Sequence, residues 1–217
     1  MASLTIENYV KAIYQLSAGA DGSAAATGKL AEVLGVSPGT VTSMLKTLSE
    51  SGLAEYVPYE GARLTGAGRT LALRVLRRHR LIELFLVRTL QLSWDEVHEE
   101  AENMEHAVSD LLVDRIDAFL GHPATDPHGD PIPKADGTVA RSAGRRLSQL
   151  AVGARFRIAR VVDQSPDFLR YLTETGLTID AQGTVAANRQ ESGTITVEVG
   201  DQQTTLAHNI ADRLLVK

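Results

Sequence analysis

The sequence predicts a mainly α fold with a small β portion: a helical head bearing a β hairpin, a helical middle, and a β-rich tail. Three observations predict it. Apolar residues recur at helical spacing through most of residues 1–121, proline-rich sequence follows at 122–148, and β-branched residues concentrate beyond Val152.

Taken in order, Ile6, Val10, Ile13 and Leu16 form one helical stripe, and a Gly/Ala/Ser loop, Ala18 to Ala26, ends it. A second helix is predicted over Gly28 to Leu34, stopped by Gly35. Ser37-Pro38 opens a third, because a serine hydroxyl can cap free N–H groups and proline suits the first helical position. Val41, Met44, Leu45 and Leu48 keep the apolar spacing until Gly52. Residues 53–57 and 62–65 alternate around Pro58-Tyr59-Glu60-Gly61, the pattern of a short hairpin. A long helix without proline runs from Gly66 to about Leu92. Ser93 with Glu96 reads as a capping box that opens a helix at Trp94, and Ser109 caps another ending at Gly121. Residues 122–148 hold four of the seven prolines and read as a linker. In the tail, Phe156 to Val162 and Thr194 to Val199 read as strands flanking a helix at Asp167 to Glu174. These describe a small barrel of roughly 65 residues, within the usual range for a compact domain.

Composition narrows the function. With no cysteine among 217 residues, disulfides, zinc ribbons, iron–sulfur clusters and thiol chemistry are excluded. The first residues carry no basic segment ahead of an apolar run, and no stretch approaches the ~18 apolar residues of a membrane helix. A cytoplasmic protein is expected. The net charge of −5 divides unevenly: residues 1–80 carry +3, residues 81–121 carry −8, and the remainder is neutral. A bound cation would relieve repulsion in the acidic middle, although a solvated acidic helix face has the same composition.

The order helix, helix–turn–helix, hairpin describes a winged helix-turn-helix, carried by KLAEVLGVSPGTVTSMLKTL at residues 29–48. Its second helix would lie in the major groove of double-stranded DNA, N-terminal residues toward base edges. Ser37, Gly39, Thr40, Thr42 and Ser43 are the candidate contacts there, and Lys46 and the wing's Arg63 the candidate phosphate contacts. No arginine or asparagine stands ready for bidentate readout, so recognition would lean on DNA shape. The alternative is a winged helix used for protein contacts.

Residues 98–106 read HEEAENMEH. On a continuous helix His98, Glu102, Glu105 and His106 fall within roughly a 100° arc. Upstream, His79 and Glu83 form an i,i+4 pair. These six donors on neighbouring helices suit one or two divalent ions, and the spacing is not that of an HExxH hydrolase.

The chain resembles the diphtheria toxin repressor and manganese transport regulator family of metal-dependent repressors. The resemblance covers nearly the whole chain and rests on TIENYVKAIYQL (5–16), the turn motif, RRHRLIELFL (77–86), WDEVHEEAENMEHAVSD (94–110) and DPHGDPIP (126–133). It implies a homodimer with a winged-helix DNA-binding domain over 1–73, a helical metal-binding and dimerisation domain over 74–140, and an SH3-like β-barrel tail of FeoA type over 141–217. It also implies an ancillary metal site at His79, Glu83 and His98. A primary site is implied at Glu102, Glu105 and His106, completed by Asn8 on the first helix. Asp167 or Gln164 lies near where the tail of some members adds a ligand. Iron-sensing members have cysteine where this chain has Glu102, and a hard carboxylate there points to Mn²⁺, with Fe²⁺ second. Asn8 replaces a methionine or aspartate and brings no charge, and Lys11 replaces a glutamate of the short manganese regulators, which argues against their bridged two-metal geometry. No organic cofactor or membrane partner is expected. Two other functions fit parts of the sequence: a metal-dependent hydrolase using the His/Glu cluster, and a winged-helix regulator answering an organic effector.

Overall fold

The computed structural model describes residues 4–19, 23–140 and 144–217. Part of the first loop (20–22) and part of the expected linker (141–143) lie outside the described residues. The chain divides into two compact units, Met1–Arg78 with Pro133–Thr138, and His79–Ile132 with Val139–Lys217.

The first unit holds helices α1 (Leu4–Gly19), α2 (Thr27–Leu34) and α3 (Pro38–Glu50), the hairpin β1 (Ala54–Val57) and β2 (Gly61–Leu64), and the start of α4 (Gly66–Leu90). Its core is the predicted stripe: Val10, Ile13, Leu30, Val41, Leu45 and Leu48 are fully buried, and Tyr56 and Leu64 pack on them from the hairpin. Gly35 closes α2 at φ 63°, its N–H meeting the carbonyls of Ala31 and Glu32. Left-handed backbone of this kind is open to glycine at little cost. Ser37 caps α3, its hydroxyl accepting from the Thr40 N–H at 3.1 Å, with Pro38 in the first turn. The two strands pair antiparallel, Ala54 opposite Leu64.

The second unit holds α4 from His79 onward, α5 (Val97–Met104) and α6 (Asp110–Phe119). Ile82, Leu86, Val97 and Ala101 form one apolar cluster there, and Leu81, Leu84, Val113, Ile116 and Ile132 another. Two expectations are corrected. The Ser93/Glu96 box forms, with the Ser93 hydroxyl 2.7 Å from the Glu96 carboxylate, but Trp94–Glu96 make a turn and the helix begins at Val97. The same helix stops at Met104, so Glu105 and His106 lie in the following turn and not on its face.

The tail follows in the same unit: β3 (Arg145–Arg146), a 3₁₀ turn (Leu147–Gln149), β4 (Arg155–Val161), α7 (Pro166–Glu174), β5 (Gln182–Arg189), β6 (Thr194–Val199), β7 (Gln202–Ala207), α8 (His208–Ala211) and β8 (Leu214–Val216). The strands run antiparallel in the order β3-β8-β4-β5-β6-β7. Among the described residues β3 and β7 are not paired with each other, so the sheet is open and the expected closed barrel is corrected. Phe156, Ile158, Leu169, Leu172, Val185, Ile195 and Val197 fill its core. Residues 122–148 are also more than a linker, because Thr125 and Pro131 form an antiparallel bridge around a buried loop.

Candidate functional site

The polar centre of the second unit is built on α4. His79 and Glu83 stand one turn apart on its buried side, and Glu83 is 1% exposed. Helical spacing of four residues points both inward. The His79 Nε2 lies 3.0 Å from Glu83 Oε1, and its Nδ1 lies 2.7 Å from Glu105 Oε2. Glu102 Oε1 stands 3.8 Å from His79 Nδ1 and 3.7 Å from His98 Nε2. The His98 Nδ1 is 3.2 Å from Glu83 Oε1. His106 Nε2 is 3.1 Å from Glu105 Oε1, and the Glu105 side chain is fully buried.

The expected ligands therefore converge, in a pattern finer than two separate triads. Among the described residues three groups have donor atoms all within 4.8 Å of one another: His79/Glu83/His98, His79/Glu102/Glu105, and Glu83/Asp126/His128. His79 joins both expected sites. His106 touches Glu105 without belonging to one of these groups. Asn8 sits on α1 in the first unit, where its buried Oδ1 has no hydrogen-bond partner among the described residues. Gln164 donates to Asp130 Oδ2 at 2.7 Å, and Asp167 pairs with Arg170 at the surface. Asp167 falls in none of the three groups.

Sequence reasoning missed Asp126 and His128, which lie within the proline-rich stretch read as a linker. A signal was present: Asp126-Pro127-His128-Gly129-Asp130 concentrates donors around a glycine. Asp126 Oδ1 accepts from the N–H groups of His128 and Asp130, at 2.8 and 2.9 Å, which folds the loop tightly. His128 Nε2 lies 2.8 Å from the Trp94 carbonyl, and the Trp94 ring stacks on the imidazole at 14° between planes. A carbonyl only accepts, so Nε2 carries a proton, and the other ring nitrogen, Nδ1, is turned toward Glu83 Oε2, 3.8 Å away. Carbonyl-fixed tautomers of this kind are the usual preparation of a metal-ligating histidine.

The electrostatics are those of a site prepared for positive charge. Burial alone would push the Glu83 carboxyl up, but the charge and hydrogen bonds of His79, the hydrogen bond from His98 and the His128 charge hold it well below the usual carboxylate range. Asp126 moves the other way. Burial raises it well above its ordinary value, the Asp130 and Glu83 charges add to this, and Arg80 only partly opposes them. Nitrogen and carboxylate oxygen donors with no sulfur match divalent ions of hard to borderline character, and a cation here would relieve the carboxylate crowding.

In the head, Ser37, Gly39, Thr40, Ser43 and Lys46 lie exposed on the first three turns of α3. Thr42 is half-buried, its hydroxyl donating to the Pro38 carbonyl at 2.9 Å, and Arg63 is exposed on β2. No described helix is long and apolar enough to cross a membrane.

A winged helix with α3 exposed, in a chain whose histidines and carboxylates converge on a largely buried centre, has the make-up of a metal-responsive DNA-binding protein. Comparison with known proteins agrees with that class. The models described as iron dependent repressor N-terminal DNA binding domain, iron dependent repressor metal binding and dimerisation domain, and FeoA domain match residues 1–62, 65–134 and 145–217. The iron-dependent repressor IdeR of Mycobacterium leprae is 30% identical over 225 residues, covering 98% of this chain and 96% of that one. A solved manganese-dependent transcriptional repressor in complex with manganese is 40% identical with a TM-score of 0.85, covering 97% of this chain and 98% of that one. The manganese regulator SloR is 32% identical with a TM-score of 0.79, covering 98% and 97%. The chain belongs to the iron-dependent repressor family, that of the diphtheria toxin repressor. It is accordingly a metal-dependent DNA-binding transcriptional repressor and not an enzyme.

Proposed function

We propose that this chain is a homodimeric repressor of metal-uptake genes that answers Mn²⁺ through two neighbouring cation sites. The first centres on Glu83, with His79, His98, Asp126 and His128 as its further donors. The second uses Glu102, Glu105 and His106. The observation that carries this division is the placement of Glu83, whose Oε1 faces His79 and His98 while its Oε2 faces His128. The all-nitrogen and oxygen donor set supports Mn²⁺. A second reading, Fe²⁺, is favoured by relatives of matching length that are named iron-dependent, among them the mycobacterial IdeR proteins.

The dimer reading is supported by apolar side chains left exposed on the helices of the second unit: Leu90, Leu111, Leu112 and Phe119, the last 70% exposed. Two-fold pairing would present two copies of α3 about one DNA turn (~34 Å) apart. A bound cation supplies the charge that lets buried carboxylates stay ionised. It favours the operator-binding state by its differential affinity for that state. For the tail, the open antiparallel sheet with shifts of register in β4 and β5 supports an SH3-like reading. The proposal is tested by anaerobic calorimetric titration of the metal-free protein with Mn²⁺ and with Fe²⁺. Two Mn²⁺ per chain are expected, one of them lost in Glu83→Gln. A parent that binds neither ion, or a variant that still binds both Mn²⁺ ions with parent affinity, contradicts it.

A further inference from the structure

The loop that carries Asp126 and His128 is held between two elements of different origin. On one side, Arg80 of α4 reaches Asp126 Oδ2 at 3.4 Å, Asp130 Oδ1 at 3.7 Å and the Pro131 carbonyl at 2.6 Å. On the other side stands β4 of the tail. Its Val161 N–H donates to the His128 carbonyl at 2.9 Å, and its Arg160 lies 2.6 Å from Asp130 Oδ1. Gln164, just beyond β4, donates to Asp130 Oδ2. Gly129 makes this approach possible. At φ 85°, a Cβ placed on it would sit 2.1 Å from the Ala159 carbonyl oxygen and 2.7 Å from the Arg160 Cα, both backbone atoms that cannot swing away.

Asp130 is nearly buried and belongs to none of the three donor groups among the described residues. Both its oxygens face guanidinium or amide groups, and these come from α4 and from the tail. A buried carboxylate gains little stability from such pairs, because desolvation offsets most of the attraction. What it does gain is one defined arrangement of the loop. A loop already ordered loses less conformational entropy when Asp126 and His128 close on a cation.

Building on the cation site centred on Glu83, we infer that Asp130 and Gly129 are positioning residues. They lock the Asp126/His128 loop against β4, so that the tail sets cation affinity through its backbone and Arg160 without donating a ligand from that strand. Disturbing outer partners of metal ligands typically weakens binding 10- to 100-fold. The experiment uses the full chain and the quenching of Trp94, its single tryptophan, during Mn²⁺ titration, since that ring stacks on His128. Gly129→Ala, Asp130→Ala and Arg160→Gln are each expected to raise the quenching midpoint about 10- to 100-fold, with far-UV circular dichroism unchanged. Arg160→Gln added to Asp130→Ala should produce no further loss, because both act through one contact. Arg157→Ala, earlier on the same strand as Arg160, breaks only a surface pair with Asp180 and should bind like the parent. Arg160→Gln leaves every loop residue in place, so it decides the matter even where Gly129→Ala fails to fold. Parent-like midpoints for Arg160→Gln and Asp130→Ala overturn the inference and leave the metal reading standing. A folded parent that binds no Mn²⁺ overturns the metal reading itself.

Discussion

Replacing Glu83 by glutamine changes one charge and almost no volume at a side chain that is 1% exposed and faces three imidazoles at 3.0, 3.2 and 3.8 Å. Without metal the cost is that of imperfectly matched buried hydrogen bonds, about 1–3 kcal/mol. With metal the loss is that of a ligand charge, and we take a 100-fold weakening as its lower bound, the top of the range for mere outer partners. At a Mn²⁺ concentration 100 times the parent's Kd, binding stabilises the folded parent by about 2.7 kcal/mol. A variant bound 100-fold more weakly retains only about 0.4 kcal/mol at the same concentration, from RT ln 2. Trp94 reports unfolding of the second unit, so urea titration of its emission with and without Mn²⁺ measures both numbers. An increment in Glu83→Gln equal to that of the parent refutes the placement of an ion at Glu83.

Further outcomes follow from the same geometry. Glu105→Ala or His106→Ala should abolish Mn²⁺-dependent DNA binding and leave the dimer intact by analytical ultracentrifugation, because the exposed apolar residues assigned to pairing lie elsewhere, on α4 and α6. Glu102→Cys should move the ranking of activating metals from Mn²⁺ toward Fe²⁺, Co²⁺ or Zn²⁺, and an unchanged ranking in gel shifts excludes Glu102 as a ligand. On α3, Thr40→Ala or Ser43→Ala should weaken a selected duplex by roughly 1–3 kcal/mol where a base contact is lost, with metal affinity unchanged. Lys46→Ala should weaken all duplexes alike and lower the salt slope by about one. Asp163 is subject to burial, which alone would raise it, but the Ser165 N–H and hydroxyl and Arg213 hold it below its ordinary value. A depressed folded-state value adds stability that is complete above the unfolded value near 3.9 and is lost as pH falls through the lower folded value. Asp163→Asn should therefore flatten the acid limb of the Trp94 unfolding profile.

What the sequence discloses follows how local each determinant is. The helix α3 is legible because its start is written in adjacent residues, Ser37 as cap and Pro38 in the first turn, and its core stripe, Val41, Leu45 and Leu48, is regular. The start of α5 is misread by three residues because Trp94 answers to distant partners. Its indole N–H donates to Thr173 in α7, and its carbonyl meets His128. The end of that helix carries no glycine or proline, so HEEAENMEH reads as continuous although the helix stops at Met104. The strands β5 and β7 are missed because only Val185 in one and Leu206 in the other are fully buried, which leaves no alternation to detect. Asp126 and His128 are hidden for a related reason. Prolines make their segment look like a linker, and its burial is created by Arg80 on one side and β4 on the other.

The central claim, repression linked to a bound cation, is tested most directly by fluorescence anisotropy of a labelled duplex selected by the protein in the presence of Mn²⁺. Binding is expected to be tight with Mn²⁺, lost on chelation and restored when Mn²⁺ is returned. Equal affinity for that duplex in chelator and in Mn²⁺ contradicts it.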